Sequence, residues 1–383
     1  MSHDIASQRR RQLLLSGLGG SALAAEPARA EPALSSGGHH PPSLDTRLTR
    51  GYGVRHPFVG AGMGFVALPS LVAAVSNAGG IGVLGNGIEP PPGTQALIQS
   101  IKAMTARPFG VDFIFDDSAF GPLVTEAHID VCIAERVRLV VFHMNVPPRA
   151  WVDRLHAAGV RVWMQVASVP QALEAAAVGM DAVIAQGSQA GGHNKSGTRT
   201  LKLLQQVVQA VRPLMVLASG GIADGQGVVD ALSHGADGVW VGTRLVASSE
   251  AHAHPEYKRR IVEARGHATV TTTLFGPEYP GRPYRVLRNR VVDEWAGREG
   301  QVPNPPPPPA VIGSTLLFPL TLKQNYSMPK FSAIVPTPET TGDFEEMGLP
   351  AGSESVKFIK RVQPAGEIVR EMMEEAQALI RSA

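Results

Sequence analysis

From Pro57 onward, short apolar runs alternate with longer stretches in which apolar residues recur at helical spacing. The runs are Pro57–Ala61, Ile81–Leu84, Gly110–Phe115, Leu139–His143, Arg161–Val166, Asp181–Ala185, Leu214–Ala218 and Gly238–Val241. Their near-continuous apolar character predicts strands buried on both faces, as in a parallel sheet. The intervening stretches read as helices, with Leu71, Val72, Val75 and Ala78, or Val228, Val229 and Leu232, on one face. Helix-to-strand turns recur as AGG, AAG, AVG and SHG, placing Gly79, Gly159, Gly179 and Gly235 where a helix end needs a left-handed residue. Eight such units predict an α/β fold, a TIM-like (β/α)8 barrel. An open doubly wound sheet is the alternative. Against it, the segment after the first run reads GAGMGF, a weak match to a dinucleotide fingerprint.

After Glu263 the alternation stops. Residues 266–310 are rich in Gly, Pro and Arg and end in Pro305–Pro309, which reads as a stiff extended spacer. Glu367–Ile380 is an amphipathic helix. The expected layout is a barrel over 45–265 and, over 266–383, a C-terminal elaboration beside the barrel mouth with a closing helix.

The N-terminus has a different character. Arg9, Arg10 and Arg11 precede a modest apolar run, Leu13–Ala25, and Ala28-Arg29-Ala30 supplies a small-x-small cleavage pattern. Residues 1–30 read as a signal peptide of the twin-arginine type, and 31–44 as a flexible lead-in. Export, to the periplasm in a two-membrane cell, is the expectation; a cytoplasmic location follows if the signal is not used. His39 and His40 in the lead-in read as solvated loop residues.

Composition narrows the class. The chain has 383 residues, 44% hydrophobic and 18% charged, with a net charge of +2. That balance suits a soluble globular protein and gives no electrostatic footprint for nucleic acid. No apolar stretch after the signal is long enough to span a membrane. The one cysteine, Cys132, forbids an intrachain disulfide and reads as a buried thiol.

In a β/α barrel the chemistry gathers at the C-terminal ends of the strands. Here those ends carry Gly62-Met63-Gly64, Asp112, His143, Gln165, the segment Gln186–His193, Ser219-Gly220-Gly221 and Gly242-Thr243. Adjacent glycine clusters after strands seven and eight favour a phosphate-bearing cofactor, because backbone amides and a hydroxyl there can serve a dianion. His143 and His193 are expected at the same mouth. A neutral imidazole there can accept a carbon-bound proton or donate to an anionic oxygen. No carboxylate or further histidine stands at metal-ligand spacing.

Several segments together resemble the nitronate monooxygenases, from about Thr46 to Ala383. They are LVAAVSNAGGIGVLG (71–85), PFGVDF (108–113), VVFHMNVP (140–147), AQGSQAGGHNKSG (185–197), ASGGIADGQGVVDALSHGADGVWVGTRLVAS (218–248), YSMPKFSA (326–333) and TPETTGDFEEMGLPAG (337–352). The resemblance implies an FMN-dependent enzyme that oxidises alkyl nitronates with O2 to a carbonyl compound and nitrite. It implies that Met63, with Gly62 and Gly64, lies along the flavin ring, and that Asp112, Gln186 and Gly191 contact the cofactor. Gly220, Gly221, Gly242 and Thr243 would hold its phosphate. His193 would be the catalytic base or donor, and His143, Tyr326 and Lys330 would bind the substrate anion. The chain departs from the family pattern at Gly62 (often Pro), Asp112 (often Asn), Gln189 (often Glu) and Trp240 (commonly Gln). An NAD(P)H-dependent flavin reductase, acting on a quinone or an enoyl thioester, is the alternative on the same scaffold. A non-catalytic flavin-binding or ligand-binding protein is a third.

Overall fold

The structure is a computed structural model that describes residues 42–118, 121–276, 278–279, 281–302 and 310–382. Residues 1–41, where the signal and the lead-in with His39 and His40 were expected, lie outside the described residues, as does Pro305–Pro309.

Eight parallel strands close into a barrel: β1 Phe58–Gly60, β2 Ile81–Gly85, β3 Phe109–Phe115, β4 Leu139–Met144, β5 Arg161–Val166, β6 Ala182–Gln186, β7 Met215–Ser219 and β8 Gly238–Val241. Each pairs with its sequence neighbours, and β1 closes the ring against β8 through Phe58 opposite Val239. The expected strands differ from these by a residue or so at their ends. Gly79, Gly159, Gly179 and Gly235 all take positive φ, from 75° to 99°, as the turns require.

Along each strand the residues divide by alternation. One set, including Val59, Ile81, Val83, Leu139, Val141, Trp163, Ile184, Leu217 and Trp240, packs together inside the barrel. The other, including Val140, Phe142, Val162, Met164, Val183 and Val216, packs against the surrounding helices. The helix Arg47–Tyr52 contributes Leu48 and Tyr52 to the inner cluster, and the Trp163 indole N–H donates to the Tyr52 hydroxyl at 2.7 Å. Cys132 is fully buried in the helix Glu126–Ala134, and burial pushes its thiol well above the usual range.

Seven strands are each followed by a full outer helix, ending with Gly225–Ser233 after β7. After β8 come the four-residue helix Thr243–Val246 and then the helix Pro255–Glu263. The eighth place in the ring is taken from the far end of the chain. The helix Ala365–Ser382 packs against Gly225–Ser233 on one side and Pro69–Asn77, the helix after β1, on the other. It buries Ile368, Val369, Met372, Met373 and Ala376, and the Glu375 carboxylate accepts the Gly225 N–H at 2.7 Å. The closing helix expected from its amphipathic pattern therefore completes the barrel wall.

The rest of the elaboration forms two small antiparallel sheets. One joins Thr269–Thr272, Tyr284–Leu287 and the two-residue strand Gly192–His193. The other joins Gln324–Pro329, Val311–Leu317 and Thr341–Gly342. Among the described residues no helix is long and apolar enough to cross a membrane.

Candidate active site

Strand alternation, which fills the barrel interior, also places polar groups at its mouth. Leu139 and Val141 face inward on β4, so His143 does too; Trp163 leads to Gln165, Ile184 to Gln186, and Leu217 to Ser219. These side chains border one cavity at the C-terminal ends of the strands. It holds about 1200 Å³ of space free of protein atoms, part of it open to solvent. Of the residues singled out in the sequence, Gly62, Met63, Gly64, Asp112, His143, Gln186, Gly191, His193, Gly220, Gly221, Gly242 and Thr243 line it, as do Gln165, Ser219 and Trp240.

The structure does not bring Tyr326 and Lys330 into that cavity. The Tyr326 hydroxyl donates to Glu278 Oε1 at 2.9 Å, and Lys330 Nζ lies 3.3 Å from Glu346 Oε2. Each side chain is turned toward a carboxylate behind the lining, and among the described residues no lysine or arginine lines the cavity. Residues from beyond the barrel that sequence reasoning missed stand there instead: Tyr257, Tyr279, Tyr284, Pro350 and Ser355.

His193 is held on three sides. Its two-residue strand pairs with Tyr284. Its ring stacks on that of Tyr284 at 4.3 Å and 22°, and meets Tyr279 edge-on at 5.1 Å. Its backbone carbonyl accepts from the Gln186 amide at 3.2 Å. Nε2 is buried without a protein partner among the described residues. Burial, followed by the neighbouring His143, Arg282 and Lys195, pulls its pKa down to about 3. Burial and Lys195 pull His143 to about 4. Both imidazoles are neutral at neutral pH, able to donate from one nitrogen and accept at the other.

Among the described residues Asp112 is the one carboxyl group lining the cavity. Its Oδ1 has no hydrogen-bond partner among the described residues, and burial raises its pKa well above the usual carboxylate range. A Cβ on Gly62 would lie 2.3 Å from Asp112 Cβ. Two departures from the family pattern, at 62 and 112, are thus in contact, and a side chain at 62 requires the backbone here to move apart. Gln189 keeps a structural function: its Oε1 accepts the Thr200 N–H at 3.0 Å, at the start of the helix Thr200–Ala210. Trp240 fills the barrel interior beneath the mouth.

The residues fit a phosphate-bearing cofactor. Gly220 and Gly221 take φ of +114° and +79°, and their N–H groups have no backbone acceptor among the described residues. Such a turn presents successive amides to an anion. A Cβ on Gly220 would lie 2.8 Å from Ala190 N, and one on Gly191 2.5 Å from Ala351 C, so the three loops meet too closely for side chains. Thr243 Oγ1 accepts the Gly352 N–H at 3.0 Å, tying the 350–355 segment over the same turn. Among the described residues no cluster of three or more His, Cys, Asp or Glu could hold a metal ion.

A parallel barrel whose mouth joins a glycine-lined anion cradle to paired neutral histidines defines an oxidoreductase of the flavin-dependent barrel class. The chain belongs to the nitronate monooxygenase family, whose profile matches residues 45–375. It is 38% identical over 253 residues to a (3aS,4S,5R,7aS)-5-hydroxy-7a-methyl-1-oxo-octahydro-1H-indene-4-carboxyl-CoA dehydrogenase of Mycobacterium tuberculosis, covering 66% of this chain and 68% of that protein. It is 30% identical over 299 residues to a probable nitronate monooxygenase of Staphylococcus aureus, covering 68% of this chain and 83% of that one. Among solved structures it resembles FabK from Thermotoga maritima, with TM-score 0.71 and 31% identity over 89% of this chain and 98% of that one. It also resembles nitroalkane oxidase from Streptomyces ansochromogenes, with TM-score 0.69 and 28% identity over 88% and 99%.

Proposed function

We propose that the protein binds FMN and oxidises alkyl nitronates with O2 to a carbonyl compound and nitrite. The observation that carries this reading is the pair His143 and His193, both neutral and both bordering the cavity that contains the glycine cradle. Gly220, Gly221, Gly242 and Thr243 would hold the phosphate, with Met63, Gln186, Gly191 and Asp112 around the rest of the cofactor. Bound FMN would supply the chemistry of accepting electrons from the substrate and passing them to dioxygen.

His193 offers Nε2, and a neutral imidazole donates there to a nitronate oxygen without adding a charge. With its pKa pulled to about 3, the ring is a weak base. It therefore suits a nitronate that arrives already ionised better than a neutral nitroalkane that must lose a carbon-bound proton. Tyr284 stacks on one face of the ring and Tyr279 meets it edge-on, which keeps the ring oriented.

A second reading, a flavin dehydrogenase or reductase acting on a CoA-type thioester or on NAD(P)H, is favoured by one observation. Among the described residues no lysine or arginine lines the cavity to meet a small anion such as a nitronate, whereas the reacting end of a thioester or a nicotinamide is uncharged. The relative that is a carboxyl-CoA dehydrogenase fits that reading.

Anaerobic spectroscopy separates the two. The purified protein should show oxidised-flavin absorbance that bleaches on addition of propionate 3-nitronate. Bleaching by NADH, NADPH or an acyl-CoA, but not by the nitronate, would move the assignment to the second reading. Protein without flavin would overturn both. We further propose export by the twin-arginine route; replacing Arg10 and Arg11 by lysine should retain the protein in the cytoplasmic fraction.

A further inference from the structure

Behind the cavity wall, Glu278 is 1% exposed and accepts three hydrogen bonds. The Tyr326 and Ser332 hydroxyls donate to Oε1, at 2.9 and 2.6 Å, and the Ala333 backbone N–H donates to Oε2 at 2.8 Å. A buried carboxyl is stable only when its oxygens are satisfied in this way. These bonds join two segments far apart in sequence, one around Glu278 and the other spanning 326–333. A backbone bond from Gly276 N–H to the Phe331 carbonyl, at 3.0 Å, runs alongside.

Both segments end on His193. Tyr279, next to Glu278, meets the imidazole edge-on. Ala333 lines the cavity, and its carbonyl accepts the Tyr284 hydroxyl at 3.4 Å; Tyr284 is the ring stacked on His193. The strands Thr269–Thr272 and Tyr284–Leu287 are already held by their sheet with Gly192–His193 and by the Leu287 N–H, which donates to the Leu349 carbonyl at 2.8 Å. The Glu278 bonds add a tie from this region to the segment 326–333.

We infer that Glu278 is a positioning residue, clasping the two post-barrel segments so that Tyr279 and Tyr284 fix the orientation of His193. On this account Tyr326, which the family resemblance assigns to the substrate anion, serves the site by holding Glu278. The inference rests on the proposed role of His193. It concerns ring orientation, which can be measured without turnover.

The test is Glu278→Ala against Glu278→Gln in the full FMN-loaded protein. Glutamine can keep the clasp: its carbonyl accepts the Ala333 N–H, while its amide donates to hydroxyls that can turn to accept. Alanine leaves the Ala333 N–H unmet. Selective labelling of histidine rings, with His193→Asn to assign the signal, reads the stacked imidazole through the ring current of Tyr284. In Glu278→Ala the His193 resonance should move toward the unstacked position and kcat should fall about 10- to 100-fold, the scale of a misplacement near 1 Å. KM and FMN content should stay within about twofold, and Glu278→Gln should restore both the resonance and the rate. If Glu278→Ala does not fold, Tyr326→Phe combined with Ser332→Ala removes both hydroxyl donors and should move the same resonance. An unmoved His193 signal in either folded variant overturns the inference. A moved signal in protein that fails to oxidise nitronate keeps it and discards only the substrate.

Discussion

Replacing His193 with asparagine should make the stability of this protein less sensitive to acid. The native ring titrates near 3 rather than near 6.5, so between those values the unfolded chain binds a proton that the folded protein refuses. Stability contributed by the neutral ring is therefore present above pH 6.5 and lost as the pH falls. Between pH 7 and pH 5 the unfolded imidazole goes from mostly neutral to almost fully charged, while the native ring stays neutral. Linkage converts that difference to about 2 kcal/mol, and a native value of 4 instead of 3 barely changes it. The ring borders an open cavity, so water there weakens the desolvation. That weakening lowers the expected difference toward about 1 kcal/mol. Urea unfolding of wild type and His193→Asn at both pH values, with matched cofactor loading, measures the quantity directly. Other titrating groups cancel in the difference between the two proteins. Wild type should lose about 1–2 kcal/mol more than the variant on going from pH 7 to pH 5. Equal losses within about 0.5 kcal/mol would show that the ring is solvated or charged in the native protein, and the neutral-donor argument would fall.

Three further outcomes follow from the same geometry. His193→Asn should lower turnover about 100-fold or more while FMN stays bound, because the glycine cradle is separate from the ring; flavin content and rate on one preparation check this. Lys330→Met should leave the KM for an anionic substrate within about twofold and cost under about 1 kcal/mol, since Arg290 also reaches Glu346, at 3.0 Å. A several-fold rise in KM would return Lys330 to the site. Gly191→Ala should weaken FMN retention, because the added methyl meets Ala351 C at 2.5 Å and forces two cofactor loops apart. Fluorescence titration of FMN into the variant reads the loss, and an unchanged affinity would separate Gly191 from the cofactor.

The barrel is legible in the sequence because its strands are short apolar runs closed off by glycines, signals that reside in a few adjacent residues. Most of the cavity lining is legible for a related reason. Once a strand is identified, its period of two carries an inward apolar residue such as Val141 to an inward polar one such as His143 at the mouth. The tyrosines that orient His193 escape that logic. Three of the five tyrosines in the chain, Tyr257, Tyr279 and Tyr284, border the cavity, yet they lie beyond the last barrel strand. Tyr279 and Tyr284 stand in a Gly- and Pro-rich stretch without periodicity, and the strand that holds Tyr284 is set by partners distant in sequence. The one usable signal was the apolar alternation from Tyr284 to Val286. Tyr326 and Lys330 have the opposite history. The resemblance nominated them, but Glu278 is 48 residues from Tyr326, and no local pattern indicates that the two side chains meet. The terminal helix announced itself by its apolar face, while its destination did not.

That destination bears on how the protein is made. The wall of the barrel contains a gap, between the helices Pro69–Asn77 and Gly225–Ser233, that only Ala365–Ser382 fills. During synthesis all eight strands leave the ribosome well before this helix does. Until it docks, the apolar flanks awaiting Ile368, Val369 and Met372 face solvent. The helical wall is therefore complete only once Ala365–Ser382 has emerged and docked. A chain stalled or clipped ahead of Ala365 leaves this gap open and presents its apolar flanks to chaperones and proteases.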